Sequence, residues 1–161
     1  MPTATNGVDS VSIDADPAVV YELVSDITRM GEWSPECYHA KWLTTPPTAT
    51  VGARFVGYNR LGRRYRWKTV CVVSAARPGR EFAFTVVDKH DREETLWRYQ
   101  LAPSTRGTGT VLTESYQFLW CPLWNRITEL PLPRDRHLRR GLHKTLHRIK
   151  AAAENTDRSA D

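Results

Sequence analysis

One carboxyl group falls where an apolar side chain is expected. Between Thr110 and Phe118, the residues Leu112, Tyr116 and Phe118 take alternate positions, and Glu114 shares their parity. Side chains two apart on a strand face the same way, so the face that buries Leu112 takes Glu114 with it. A buried carboxylate is costly unless paired. It must meet a cation or a phenol, or stay protonated as a hydrogen-bond donor. The first state would orient a ligand, and the second is what an acid catalyst uses. Glu114 is therefore the candidate catalytic residue, the alternative being that neighbouring hydroxyls and backbone simply satisfy it.

The same alternation gathers phenols and indoles around this acid. In Arg64 to Val73, the cations Arg64, Arg66 and Lys68 occupy the even positions. A row of cations cannot face an apolar core unpaired, so Tyr65, Trp67, Thr69 and Cys71 face inward. Phe82, Phe84 and Val86 follow on the next strand, then Trp97, Tyr99 and Leu101, with Phe55 and Gly57 inward on an earlier one. The chain holds 6 Trp in 161 residues, and Trp33 reads as core or gate. An inward set containing Tyr65, Thr69, Tyr99, Glu114 and Tyr116 is more polar than a dry core, and resembles the mixed lining of a ligand site.

Other chemistries find little support. His143 and His147 share a helical face, but Lys144-Thr145-Leu146 between them omits the glutamate of a zinc-protease helix, and no third ligand is evident. The three cysteines, Cys37, Cys71 and Cys121, lack ligand spacing and disulfide pairing logic. Neither a phosphate-cradling Gly-rich loop nor a Gly-x-Ser-x-Gly elbow occurs. No metal and no cofactor are expected.

The elements that must position these residues can be read from periodicity. Val11 and Ile13 alternate with polar residues as a strand. Asp16-Pro17 opens a helix with Val20, Leu23, Val24 and Ile27 on one stripe; Gly31 breaks the pattern and Pro35 forbids a simple continuation, so two short helices separated near Asp26 to Arg29 are expected. Strands are expected at Ala40 to Thr44, Ala53 to Arg60, Arg64 to Ser74, Glu81 to Val87, Thr95 to Leu101 and Thr110 to Phe118, separated by turn chemistry such as Leu61-Gly62 and Pro78-Gly79. After Pro133, Leu138, Leu142, Leu146 and Ile149 mark one face of a long amphipathic helix of roughly five turns. The apolar run Phe118 to Trp124, followed by Ile127 and Leu130, is expected to pack over one end of the space between helix and sheet.

Composition bounds the partners. With 40% hydrophobic and 25% charged residues the chain reads as one globular domain, expected over 8–155 with disordered tails at 1–7 and 156–161. The longest apolar run is too short to span a bilayer and no secretory leader is evident, so the expected location is cytoplasmic. Net charge is +5, concentrated in Arg60 to Lys68 and Arg134 to Lys150. No aromatic residues interleave the basic helix as a stacking platform would need, so no specific nucleic acid is expected. Weak, salt-sensitive contact with anionic membranes is compatible with these charges, as is either a monomer or a homodimer.

The order of elements and the stretches Val11 to Tyr21, Met30 to Glu36, Val51 to Phe55, Thr95 to Tyr99 and Gly109 to Glu114 resemble the START-like SRPBCC superfamily, in its polyketide cyclase/dehydrase and lipid-transport group. The resemblance spans nearly the whole domain and implies an α+β helix-grip fold: a curved antiparallel sheet of about seven strands around a C-terminal helix. It also implies a small hydrophobic or aromatic ligand, lipid- or polyketide-like, held between sheet and helix. The expected wall comprises Trp33, Phe55, Tyr65, Trp67, Thr69, Phe82, Phe84, Trp97, Tyr99, Glu114 and Tyr116, with Leu138 and Leu142 from the helix. The group includes both carriers and cyclases, and supplies no strict catalytic motif to transfer here. A polyketide cyclase/dehydratase using Glu114 and the cavity phenols remains the alternative.

Overall fold

A computed structural model describes residues 6–120 and 134–159. Strand β1 (Asn6–Ile13) leads to helix α1 (Pro17–Ser25), a 3-10 turn (Ile27–Arg29) and helix α2 (Met30–Trp33). Six strands follow: β2 (Cys37–Trp42), β3 (Arg54–Leu61), β4 (Tyr65–Arg77), β5 (Glu81–Val87), β6 (Glu93–Pro103) and β7 (Thr110–Phe118). Helix α3 (Arg134–Arg158) ends the described chain. Neighbouring strands pair antiparallel in one seven-stranded sheet, in the order β1-β7-β6-β5-β4-β3-β2. The fold is the α+β helix-grip arrangement, with the long helix laid against the sheet's inner face.

Local chemistry explains the helical insert. Asp16 Oδ1 accepts from the Ala18 amide at 2.7 Å while Pro17 occupies the first helical position, so α1 starts there. Asp26 ends α1 and caps the next turn, its Oδ1 accepting from the Thr28 amide at 3.1 Å. Gly31 is needed on packing grounds: a Cβ there would lie 2.4 Å from the Tyr38 carbonyl oxygen. That close approach seats α2 on β2 and brings Ser34 to Cys37 alongside the inner face.

Among the described strands, three register shifts, between Cys37 and His39 on β2, between Val73 and Ala75 on β4 and between Val86 and Val87 on β5, interrupt the ladders. Such bulges raise local twist and bend a sheet. Along α3, Leu146, Ile149 and Ala153 join the main core with Ile13, Phe82, Leu101 and Leu112. Polar ties fix the same half of the helix: Lys150 Nζ donates to the Ser12 carbonyl at 2.6 Å, and Glu154 Oε1 accepts from the Asp14 amide at 2.9 Å.

The observed elements overrun several expected boundaries. β1 begins at Asn6, with Asn6 and Gly7 paired to Gln117 and Tyr116, and α3 continues through Asn155 to Arg158, which is longer than five turns. Backbone pairing and helical hydrogen bonds need no apolar pattern, which is why the sequence there read as tail. No helix among the described residues is long and apolar enough to cross a membrane. Of the expected apolar cover, Phe118 reaches the interior, whereas Leu119 and Trp120 are exposed at 42% and 36%. Cys121 to Trp124, Ile127 and Leu130 lie outside the described residues.

Leu146 is 1% exposed and sits where α3 meets the core. Leu146→Ala is expected to lower unfolding free energy by about 2–5 kcal/mol, whereas Lys144→Ala on the solvent side should stay within about 0.5 kcal/mol. Urea denaturation of both variants measures the difference.

Candidate functional site

Towards the first turns of α3, the helix stands off the sheet. A cavity of about 320 Å³ remains between them, within the roughly 300–1,000 Å³ of small-molecule sites. Its floor is the inner face of the sheet: Phe55, Gly57 and Asn59 from β3, Trp67, Thr69 and Cys71 from β4, Phe84 and Val86 from β5, Thr95, Trp97 and Tyr99 from β6, and Glu114 and Phe118 from β7. Helix α3 roofs it with His137, Leu138, Gly141, Leu142 and Thr145. Met30, Ser34, Pro35, Glu36 and Cys37 close one side.

Glu114 faces this space and is only 3% exposed. The Tyr99 hydroxyl donates to its Oε1 at 2.9 Å. The other oxygen, Oε2, is buried with no hydrogen-bond partner among the described residues. Burial pushes the carboxyl pKa up to about 8, opposed by the Tyr99 hydrogen bond and assisted slightly by the charge on Asp9, its cross-strand partner. The group is thus mostly a neutral acid at pH 7. With Oε1 accepting from Tyr99, the proton belongs on Oε2, where it is a donor lacking an acceptor. Tyr99 itself is held well above the ordinary phenol range, chiefly by burial and then by Glu114, so it stays protonated.

Other polar groups on the wall are quieter. Asn59 Nδ2 donates to Thr69 Oγ1 at 3.1 Å and to the Gly57 carbonyl at 3.4 Å. Burial raises the Cys37 thiol to about 11 and the Cys71 thiol to about 12. Neither offers a thiolate nucleophile at neutral pH, because the thiolate is the reactive form. At the edge, Glu36 Oε1 lies 3.4 Å from His137 Nε2, so the loop after α2 meets the start of α3. No cluster of three potential metal ligands exists among the described residues.

Strand parity delivered Phe55, Trp67, Thr69, Phe84, Trp97, Tyr99 and Glu114 to the cavity wall, together with Leu138 and Leu142 from the helix. Four expected wall residues lie elsewhere. Tyr65 is 61% exposed, its ring resting on Trp67 with centroids 5.1 Å apart, because β4 runs beyond the end of β5 and carries it past the cavity. Trp33, the last residue of α2, is buried in the core, with the Arg29 guanidinium over its ring. Phe82 is wholly buried in the main core and does not reach the cavity wall. Tyr116 packs with Leu138 and Leu142 in a cluster flanked by Trp97 and Phe118, beside the cavity rather than on its wall. Parity could have added Asn59, two residues beyond Gly57. Cys37, Glu36 and His137 depend on how α2 and α3 dock, for which no local pattern exists.

A helix clamped against a curved sheet, with a cavity between them walled by aromatic rings and one neutral acid, defines a ligand-holding helix-grip domain. The chain belongs to the polyketide cyclase/dehydrase and lipid transport family, whose family model matches residues 5–154. A polyketide cyclase-like protein from Corynebacterium glutamicum, Cgl2372, is similar at 34% identity, over 96% of this chain and 94% of that one, with a TM-score of 0.62. The di-domain aromatase/cyclase StfQ of the steffimycin biosynthetic pathway shares the fold at 16% identity and TM-score 0.73, over 98% of this chain and 52% of that one. Major latex-like protein 151 from Panax ginseng shares it at 13% identity and TM-score 0.66, over 93% and 97% of the two chains. No curated protein sequence matches the chain.

A carboxyl raised by burial favours the folded state while protonated. Below the ordinary glutamate pKa of about 4.5 the raised value costs nothing. Between there and about 8 the folded state holds a proton that the unfolded chain releases, so stability falls as pH rises. The expected slope from this group is up to about 1.4 kcal/mol per pH unit, levelling off above pH 8. Glu114→Gln keeps an acceptor for Tyr99 and should remove this component. Urea midpoints of parent and variant from pH 5 to 9 test it, since the other titrating groups are common to both.

Proposed function

We propose that the protein binds a small hydrophobic or aromatic molecule, lipid- or polyketide-like, in the cavity between the sheet and α3. The observation carrying this reading is Glu114 Oε2, without a hydrogen-bond partner among the described residues, in a wall otherwise rich in aromatic and aliphatic groups. An unmet buried donor is costly, and a ligand oxygen that accepts from it relieves the cost. Phe84, Trp67 and Trp97 offer ring faces and edges for a planar body, so the ligand would lie among them with an acceptor oxygen turned to Glu114. Cys37 and Cys71 are both free thiols, which agrees with a cytoplasmic setting. Either a monomer or a homodimer is compatible with this mode of binding.

The neutral state of Glu114 also supports a second reading, a cyclase/dehydratase-type enzyme. Glu114 would donate its proton to a ketone oxygen as a neighbouring enol carbon attacks the carbonyl carbon. That forms a carbon–carbon bond and leaves an alcohol, while the enol hydroxyl becomes a ketone and its proton returns to the Glu114 carboxylate; loss of the alcohol oxygen as water, with the hydrogen of the newly bonded carbon, completes aromatisation. Tyr99 would hold the acid in place. Carrier and enzyme share the site and differ in what Glu114→Gln does. A carrier loses affinity modestly; an enzyme keeps binding and loses turnover, by about 10²–10⁴-fold for a general acid.

Native mass spectrometry of the purified protein, followed by solvent extraction, should reveal a bound apolar or aromatic molecule. Gly57→Val places a side chain in the cavity, where even a Cβ lies 3.1 Å from Thr69 Oγ1 and 3.5 Å from Cys37 Sγ. It should exclude that molecule while the protein stays folded. Trp97→Ala should weaken its retention by about tenfold, at the scale of one aromatic contact. If the parent carries nothing and takes up no member of an aromatic ketone or fatty-acid panel, or if Gly57→Val binds as the parent does, the cavity is not the binding site.

A further inference from the structure

The hairpin joining β3 and β4 stands apart from the rest of the sheet. Pairing between these strands continues to Leu61 opposite Tyr65, but β5 leaves β4 at Val70, and β2 pairs with β3 only as far as Asn59. A two-stranded finger therefore projects beyond its neighbours. Its tip exposes two large apolar groups, Leu61 at 42% and Tyr65 at 61%. Arg60, Arg63, Arg64 and Arg66 surround them, all exposed, and none forms an ion pair with a carboxylate among the described residues. Instead Arg60 and Arg66 lie over the face of Tyr38, at 5.5 and 5.8 Å from its centroid.

A second exposed apolar pair occurs at the same end of the sheet. Leu119 and Trp120 follow the end of β7, hydrogen-bonded to the Glu94 carbonyl at the start of β6, with the Arg92 guanidinium 4.3 Å over the Trp120 ring. This is also the end at which Glu36, Lys68, Glu94 and His137 border the cavity. Exposed Leu61 and Tyr65 among finger arginines that pair with no described carboxylate, and Trp120 under the Arg92 guanidinium, match the headgroup zone of an anionic bilayer. There the apolar groups and amphipathic rings leave water, and arginine stems lie along the surface with their charges among phosphates. A nucleic acid would use the charges and leave Leu61 in water.

We infer that the β3–β4 finger, with Leu119 and Trp120 at the same end of the sheet, is a docking surface for an anionic lipid bilayer. Docking there sets the end of the cavity bordered by Lys68 and Glu94 towards the membrane, because the base of the finger supplies Trp67 and Thr69 to the cavity wall. The surface stands on the finger's own residues and does not require that the cavity hold a lipid.

Co-sedimentation of the full chain with sucrose-loaded vesicles tests this. Binding is expected to phosphatidylcholine vesicles containing about 30% phosphatidylglycerol, to be much weaker on pure phosphatidylcholine, and to fall at least about tenfold between about 0.1 M and 0.5 M salt. Arg63→Glu with Arg64→Glu should abolish it, and Leu61→Ser with Tyr65→Ser should weaken it by about tenfold at unchanged net charge. Arg140→Glu with Lys144→Glu makes the same charge change on the exposed face of α3 and should leave binding within about twofold of that of the finger-intact parent. Far-UV circular dichroism melts confirm that each variant is folded. The inference is overturned if the parent ignores anionic vesicles, if the helix variant loses binding as fully as the finger variant, or if Leu61→Ser with Tyr65→Ser has no effect. Tighter binding to a single-stranded oligonucleotide than to vesicles, lost in the same arginine variant, would assign the finger to nucleic acid instead.

Discussion

The arrangement depends on how α3 meets the inner face of the sheet. From Leu146 onward the helix is pressed into the core, with Ile149 and Ala153 wholly buried, the edge strand β1 tied to it by Lys150 and the residue just after β1 by Glu154. From His137 to Thr145 it roofs a space instead of filling it. One end of the molecule thus supplies the packing that stabilises the fold, and the other is free to hold something. A helix in close contact along its whole length would leave no site. One held off throughout would leave too little buried apolar surface to hold it there. The α2 segment completes the compromise, since Gly31 lets it settle on β2 and bring Pro35 and Glu36 beside the first turns of the helix.

Within that space, the chemistry follows from a periodicity that strand β7 cannot escape. Leu112 and Tyr116 are needed inside, and Glu114 lies between them at the same parity. Replacing it by an apolar residue would improve the core, so its presence there is a departure from local consistency, of the kind that marks functional positions. Its surroundings satisfy it only by half. Tyr99 meets Oε1, and the remaining oxygen is left to the cavity. A fully satisfied acid would be structural; the half-satisfied one leaves the position that the proposed ligand oxygen would take.

The fold was largely legible because its signals are local. Alternation on β4 to β7, the capping Asp16 before Pro17 and the leucine stripe of α3 each need only a few neighbouring residues, and each matches an observed element. The wall of the cavity was partly legible for the same reason, since parity says which side of a strand a residue faces. Parity does not say how far along the strand the neighbouring elements reach. Tyr65 and Phe82 have inward parity, yet one overshoots the cavity and the other falls short of it. The Glu36–His137 contact, bridging elements about a hundred residues apart, could not be found from either segment alone. Tyr65 reads as inward because Arg64, Arg66 and Lys68 take the opposite parity, but β5 pairs with β4 only from Val70 onward, so at the tip of the β3–β4 hairpin Leu61 and Tyr65 are both exposed.

The depth of Glu114 bears on the choice between holding a ligand and transforming it. A general acid must recover its proton after each turnover, and this one is almost wholly removed from solvent. Its one described hydrogen-bond partner, Tyr99, is buried and holds its proton more tightly than an ordinary phenol, so it is a poor relay. The thiols on the same wall are likewise held protonated. Reprotonation would have to come through the cavity itself, from water admitted once product leaves, or from the reacting molecule in a step that returns the proton it took. Ring closure followed by loss of water has that second character, since the carbon that forms the new bond must also give up a proton. Simple carriage needs no such cycle and asks only that the acid stay neutral while occupied. The site thus supports a passive host with the groups it has, and an enzyme only if the substrate closes the proton balance.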